Sequence, residues 1–159
     1  DFCMIHIIDE ELNDYNKGTS KEHNVEAIKV INSTSAQCIG LMIVGLSATK
    51  KDFDDLYNWI VKHELIHVTI SIFTPIPGTP LYEEYKDKLI TDKIENWDFL
   101  HLVVEPKNIS RHKFYLYYRR LILKLYKRAK KAGVYEYLDL EHYKKMLSRF
   151  LLRKAYLDR

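Results

Sequence analysis

The sequence predicts an α/β fold of about three parallel βα units followed by C-terminal helices, part of a barrel or of a larger doubly wound sheet. Three observations carry this. Residues 2–8 (FCMIHII), 38–44 (CIGLMIV) and 68–73 (VTISIF) are short, nearly continuous apolar runs, as expected of strands buried on both faces. Stretches of helical period separate them, the alternation that gives parallel sheets with right-handed crossovers. After Pro80 the alternation stops and longer helical stripes take over.

Each element has its own signal. The first run has one polar member, His6, which reads either as a satisfied core histidine or as a substrate contact. Asn16-Lys17-Gly18 marks a turn, and Thr19 with Glu22 makes a T-x-x-E capping box. The next helix runs through Val25, Ile28 and Ile31 and stops around residues 32–35. Gly45 ends the second run. Thr49 and Asp52 offer another capping pair, ahead of Phe53, Leu56, Tyr57, Ile60 and Val61 at helical spacing. The third run is rich in β-branched residues and ends in Pro75-Ile76-Pro77-Gly78-Thr79-Pro80. Residues 81–89 read as a short helix, and 99–104 as a fourth strand or a buried extended segment. Ser110 can cap a long helix with Phe114, Tyr118, Leu121, Leu125, Ala129 and Ala132 on one stripe and Gly133 just beyond its end. A last helix carries Leu140, Tyr143, Leu147 and Phe150/Leu151.

Composition bounds the rest. At 159 residues and 19.0 kDa the chain can build one core. Its 47% hydrophobic and 30% charged residues exclude a disordered chain. No apolar run reaches the roughly 18–20 residues that cross a bilayer. Two cysteines, Cys3 and Cys38, make neither a disulfide scaffold nor a four-thiolate metal site. Asp1 opens directly onto strand-like sequence, so the chain reads as a piece of a longer protein whose missing strands precede it. Three strands alone leave two sheet edges open, which predicts self-association. Charge is polarised: residues 107–159 hold 16 Lys+Arg and 4 Asp+Glu, leaving 9 basic and 18 acidic residues in 1–106. Such a basic tail can bind nucleic acid, an anionic surface or the acidic body itself.

Three places carry possible chemistry. His63-Glu64-Leu65-Ile66-His67 spells H-E-x-x-H, which on a helix holds zinc and activates water for hydrolysis. His67 runs straight into a β-type segment, and prolines at 75, 77 and 80 forbid a continuous helix beyond it, so a helix-to-strand turn is the favoured reading and a zinc hydrolase the alternative. In a parallel sheet, ligands gather at the C-terminal strand ends. Those ends are Asp9, then Gly45-Leu46-Ser47, then residues 74–79, with a helix start near Thr49 suited to an anion. In the tail, Arg119, Arg120, Lys124, Lys127, Arg128, Lys130 and Lys131 interleave with Tyr115, Tyr117, Tyr118 and Tyr126. That mixture suits single-stranded nucleic acid, but the helical stripe explains much of it as packing.

Residues 9–80 resemble the C-terminal half of a radical S-adenosylmethionine (SAM) barrel. The pieces DEELNDYNKGTS, LMIVGLSATKKDF and FTPIPGTPLYEEY come in that family's order and spacing, with Leu12, Gly18, Gly45, Thr49, Asp52, Phe53 and residues 75–82 fitting its pattern. HLVVEPKNIS and the Tyr/Arg-rich stretch after it are similar to cobalamin-associated members. The resemblance implies a partial (β/α) barrel, a [4Fe–4S] cluster whose open iron binds SAM and cleaves it to a 5′-deoxyadenosyl radical, and a small-molecule substrate. The family's C-x-x-x-C-x-x-C cluster loop is absent from this sequence. What carries over is the SAM-cradling side. The G-x-I-x-G-x-x-E signature falls on Leu41, Ile43, Gly45 and Ala48, matching at Ile43 and Gly45. The first strand's G-x-E-S falls on Cys3, Ile5 and His6 and matches at none of them, and the loop from Gly45 to Phe53 is one residue shorter than the common form. The resemblance thus implies cofactor contacts at Ile43, Gly45, Leu46, Ser47, Thr74 and Pro75, with no catalytic residue assigned and no metal ligand.

Together these readings expect barrel units over 1–106 and a basic helical extension over 107–159. They expect a cytoplasmic radical SAM oxidoreductase or methyltransferase when complete. SAM and the cluster, and cobalamin where used, would then require the missing N-terminal half, and the chain alone would bind none of them and be inactive.

Overall fold

A computed structural model describes the backbone at 2–4 and residues 21–34, 36 and 38–134. Three strands, β1 (Phe2–Met4), β2 (Ile39–Val44) and β3 (His67–Ile72), pair in parallel in the order β1-β2-β3. The register sets Phe2 beside Ile39, Ile39 beside His67, and Val44 beside Ile72. Helices α1 (Lys21–Asn32) and α2 (Lys50–Lys62) make the two crossovers. Beyond β3 come a short helix α3 (Pro80–Tyr85), two 3₁₀ turns at Lys86–Lys88 and Ile94–Asn96, and the long helix α4 (Arg111–Lys131). The expected α/β class with parallel strands is what forms.

Strand alternation sorts the sheet into two unlike faces. Gly40, Met42 and Val44 of β2 are buried, as are Ile70 and Ile72 of β3. Leu41, Ile43 and Ser71 on the opposite face are only half-buried, and Thr69 is exposed. The buried face packs under α2, through Phe53, Leu56, Trp59 and Ile60, and under α4, through Phe114, Tyr118, Leu121 and Leu125. Phe53 meets Phe114 edge to face, with centroids 5.3 Å apart and planes at 82°. Each such side chain contributes about 1.5–3 kcal/mol on burial. Most of α4's apolar stripe is therefore core.

Helix ends follow the local chemistry. Asp52 accepts both the backbone N–H (2.8 Å) and the hydroxyl (2.7 Å) of Thr49, starting α2. Thr79 accepts from the N–H of Tyr82 at 3.2 Å with Pro80 in the first turn, and Gly78 ahead of it takes φ +85°. At the end of α4, Gly133 has φ 78°, its N–H bonds Lys130 O, and the N–H of Val134 bonds Ala129 O (both 3.1 Å). That is the paired 5→2 and 6→1 arrangement that satisfies the last carbonyls, with glycine where the left-handed conformation is needed.

The alternatives for residues 99–104 resolve to the buried segment, and one other expectation changes. Residues 99–104 do not become a fourth strand. Leu102, Val103 and Val104 are buried, but among the described residues their only ladder-type pairing is an isolated bridge between Val104 and Leu89. The reason is visible at Phe99, whose φ of 60° bends the chain out of strand geometry. Nor is the outer edge of β3 open. The Ile72 N–H donates to Phe99 O (2.6 Å), and the Tyr118 hydroxyl donates to Ile70 O (2.8 Å). Both groups point away from β2, so association through this edge is blocked at these positions. The Asn16-Lys17-Gly18 turn, Thr19, His6, Leu12, Asp9 and the helix through Leu140 to Leu151 lie outside the described residues.

Candidate functional site

The C-terminal ends of β2 and β3 lie side by side, because the register that pairs Val44 with Ile72 continues one step further. The N–H of Phe73 donates to Val44 O at 2.9 Å. This brings all six residues expected at a cofactor edge together: Ile43, Gly45, Leu46 and Ser47 from one strand end, Thr74 and Pro75 from the other. Ile43 is half-buried on the open face of the sheet, where a flat ring could cover it. Gly45 is buried, and the Ser47 side chain is exposed. Thr74 is buried and its hydroxyl donates to Ile72 O at 3.1 Å, leaving its oxygen to accept. Pro75 is fully buried and shapes the wall.

Leu46 turns inward. Its side chain is 4% exposed and belongs to the core, so only its backbone could meet a ligand. Its carbonyl is taken: the N–H of Lys107 donates to it at 2.8 Å. Asn108 Nδ2 donates to the neighbouring Ser47 O at 2.5 Å. The segment entering α4 thus clasps the β2 loop and fixes its shape. Sequence reasoning missed this clasp because it joins residues 61 positions apart. The helix start at Thr49 is likewise not open to an external anion, since Asp52 already supplies the carboxylate there.

H-E-x-x-H is a turn. His63 is the C-cap of α2, Glu64 has φ 57°, and His67 begins β3, so the two imidazoles are not one helical turn apart. The N–H of Leu65 bonds Ile60 O (3.2 Å) and that of Glu64 bonds Val61 O (3.1 Å), the same terminator that closes α4. Leu65, 1% exposed, is the apolar plug of that motif, and Arg128 of α4 donates to its carbonyl. The His63 ring stacks 4.5 Å from Trp59. No group of three His, Cys, Asp or Glu able to hold a metal ion occurs among the described residues.

The basic, aromatic tail resolves into parts. Tyr115 and Tyr118 are core: Tyr115 accepts the N–H of Leu102 at 2.8 Å and Tyr118 donates to the sheet. Burial, first of all, pushes the Tyr118 phenol well above its ordinary range, with Asp98 and Tyr115 adding to the effect. Tyr117, Arg120 and Lys124 line a surface groove with Lys50, Asp54 and Tyr57. Asp54 dominates its charge pattern. It lies 2.5 Å from Lys50 and 3.7 Å from Lys124, and the hydrogen bond from Lys50 holds its carboxyl below the usual range. Asp54 is shared by Lys50 and Lys124, so with Arg120 the lining cations outnumber the lining carboxylate on this solvated helix face.

No protein-family model matches the chain. Bacteriochlorophyllide d C-12(1)-methyltransferase of Chlorobaculum tepidum is 29% identical over 118 residues, 73% of this chain and 26% of that protein. Anaerobic magnesium-protoporphyrin IX monomethyl ester cyclase of Cereibacter sphaeroides is 28% identical over 102 residues, 64% of this chain and 17% of that protein. Bacteriochlorophyllide d C-8(2)-methyltransferase of Chlorobaculum tepidum is 39% identical over 61 residues, 36% of this chain and 13% of that protein. These are radical SAM enzymes. The chain is a homologue of radical SAM enzymes. It spans about a quarter or less of the length of these radical SAM relatives, consistent with a C-terminal piece of such a protein. Among the described residues no helix is long and apolar enough to cross a membrane.

Proposed function

We propose that this chain supplies the SAM-cradling, substrate-side part of a radical SAM barrel, whose cluster-binding half lies outside it. The observation that carries the reading is the shared edge of β2 and β3, where Ile43, Gly45, Ser47, Thr74 and Pro75 converge. The open face below that edge is what a barrel interior requires: half-buried, mildly apolar, and free of α2 and α4, which cover the other side.

The residues present fit SAM in part. Ile43 offers an apolar surface to adenine, the backbone at Gly45 allows close approach, and Thr74 offers a buried hydroxyl oxygen. The residues aligned with the usual carboxylates are Ile5 and Ala48, so polar contacts to the ribose and methionine groups must come from other residues. The described residues do not fit the cluster. Cys38 is buried, and no thiol-containing group of ligands accompanies it. In this reading the cluster belongs to the preceding half of the parent protein, where it would supply the reductive cleavage of SAM. Cobalamin use, a small-molecule substrate and a cytoplasmic setting belong to the same reading. The cobalamin element is supported by residues 101–110 and the Tyr/Arg-rich α4 after them.

Calorimetry tests the division of labour. The 159-residue chain is expected to take up no SAM at micromolar concentration, and tight binding without a cluster would overturn the proposal. In the parent protein with its cluster in place, Ile43→Asp is expected to raise KM for SAM about tenfold, the cost of setting a charge against an apolar ring. An unchanged KM would remove Ile43 from the site.

A further inference from the structure

Outside β3, residues 90–102 and the first turn of α4 bound a cavity of about 280 Å³. His101 lines it, held by Asp98. One Asp98 oxygen accepts the backbone N–H groups of Leu100 (2.9 Å) and His101 (3.0 Å), which locks the carboxylate in place. Both its oxygens lie 2.8 Å from His101 Nδ1. A carboxylate facing Nδ1 assigns the proton to that nitrogen and leaves Nε2 to make the ring's second bond. That bond is missing. Nε2 is buried and has no partner among the described residues, and the side chain is only 14% exposed. Buried polar atoms in folded proteins are nearly always bonded, so an oriented imidazole with one orphan nitrogen beside a cavity points to a ligand.

The rest of the lining narrows the chemistry. Lys93 and Arg111 bring positive charge, against a single lining carboxylate, Asp92. Glu105 pairs with Arg111 at 2.5 Å and fixes its position. We propose that this cavity binds the carboxyl group of a small organic ligand, hydrogen-bonded to His101 Nε2 and countered by Lys93 and Arg111. With the shared proton on Nε2, the imidazolium and the ligand carboxylate make one charge-assisted bond. The volume suits a small acid or the acidic arm of a larger substrate, below the usual range for a whole cofactor. The site uses none of the residues assigned to SAM and does not rest on that assignment.

Imidazole nitrogen NMR of the 159-residue chain, titrated with sodium propionate and separately with sodium phosphate, tests the site. His101 Nε2 is expected to shift saturably with propionate while the other histidines stay still. His101→Phe is expected to weaken propionate binding by about tenfold or more. Lys93→Gln, which alters an exposed side chain without touching the core, is expected to weaken it several-fold. Three results would each overturn the proposal: an Nε2 signal unmoved by propionate, a folded His101→Phe chain that binds as before, or phosphate binding more tightly than propionate. Should His101→Phe fail to fold, the wild-type titration and Lys93→Gln decide.

Discussion

Tyr118 joins the helix layer to the sheet with a single hydroxyl. It is 1% exposed and donates to Ile70 O at 2.8 Å, on the side of β3 where no further strand pairs among the described residues. Removing the hydroxyl leaves a buried carbonyl unsatisfied, so Tyr118→Phe is expected to cost about 1–3 kcal/mol in denaturant unfolding near neutral pH. The raised phenol pKa adds a pH signature. Its protonated form is favoured in the fold, so its contribution is complete below the unfolded value of about 10. Above that pH the unfolded chain loses a proton that the folded chain keeps, and stability falls. Unfolding at mildly alkaline and strongly alkaline pH should show a smaller decline in Tyr118→Phe than in wild type; equal slopes would mean that the phenol ionises as freely in the fold as out of it. The sequence placed Tyr118 on the buried stripe correctly. Its bond to the sheet was beyond reach, because periodicity locates a face and not the partner 48 residues away.

At the scale of elements, local signals were legible wherever the chemistry is local. The Thr49–Asp52 start, the Ser110 cap and the Gly133 terminator all form as spacing and residue type suggest. The fourth-strand alternative failed because an apolar run gives burial without geometry, and Phe99 departs from strand φ. H-E-x-x-H shows the same limit from the other side: the letters of a metal motif lie across a helix terminator. That terminator carries a testable strain. Glu64 occupies the left-handed position that glycine occupies in α4, and for a residue with a Cβ this costs roughly 1–2 kcal/mol. Glu64→Gly relieves the strain and gives part of it back as unfolded-chain entropy, so a net gain of about 0.5–1 kcal/mol is expected. A thermal melt reads this directly as a rise of a few degrees. A fall would mean that the Glu64 side chain makes a contact worth more than the strain.

For the whole molecule, the basic tail and the acidic body share one core. α4 packs on α2 and β3, Arg128 reaches the start of β3 through Leu65, and Lys107 and Asn108 hold the loop at the end of β2. One helix is thus tied to both ends of the sheet. Charge counting could separate the two halves of the chain but could not show them packed together, since their attraction and their apolar contact look alike at the level of composition. The candidate site was legible to the same degree: the strand ends were identifiable, whereas the clasp over Ser47 and the Asp98–His101 pair required the fold. A chain ending at residue 106 would lose Phe114 (0% exposed), Tyr118 (1%) and Leu121 (2%) from the core at once. Truncating a single large core residue costs about 2–5 kcal/mol, and a domain's whole stability is about 5–15 kcal/mol. The 1–106 piece is therefore expected to lose its cooperative thermal transition and to aggregate, because the face of β3 and the Phe53 side of α2 would meet water. Calorimetry and size-exclusion chromatography of that piece check this. A sharp melt from a monodisperse 1–106 chain would show that the sheet and α2 hold together without α4.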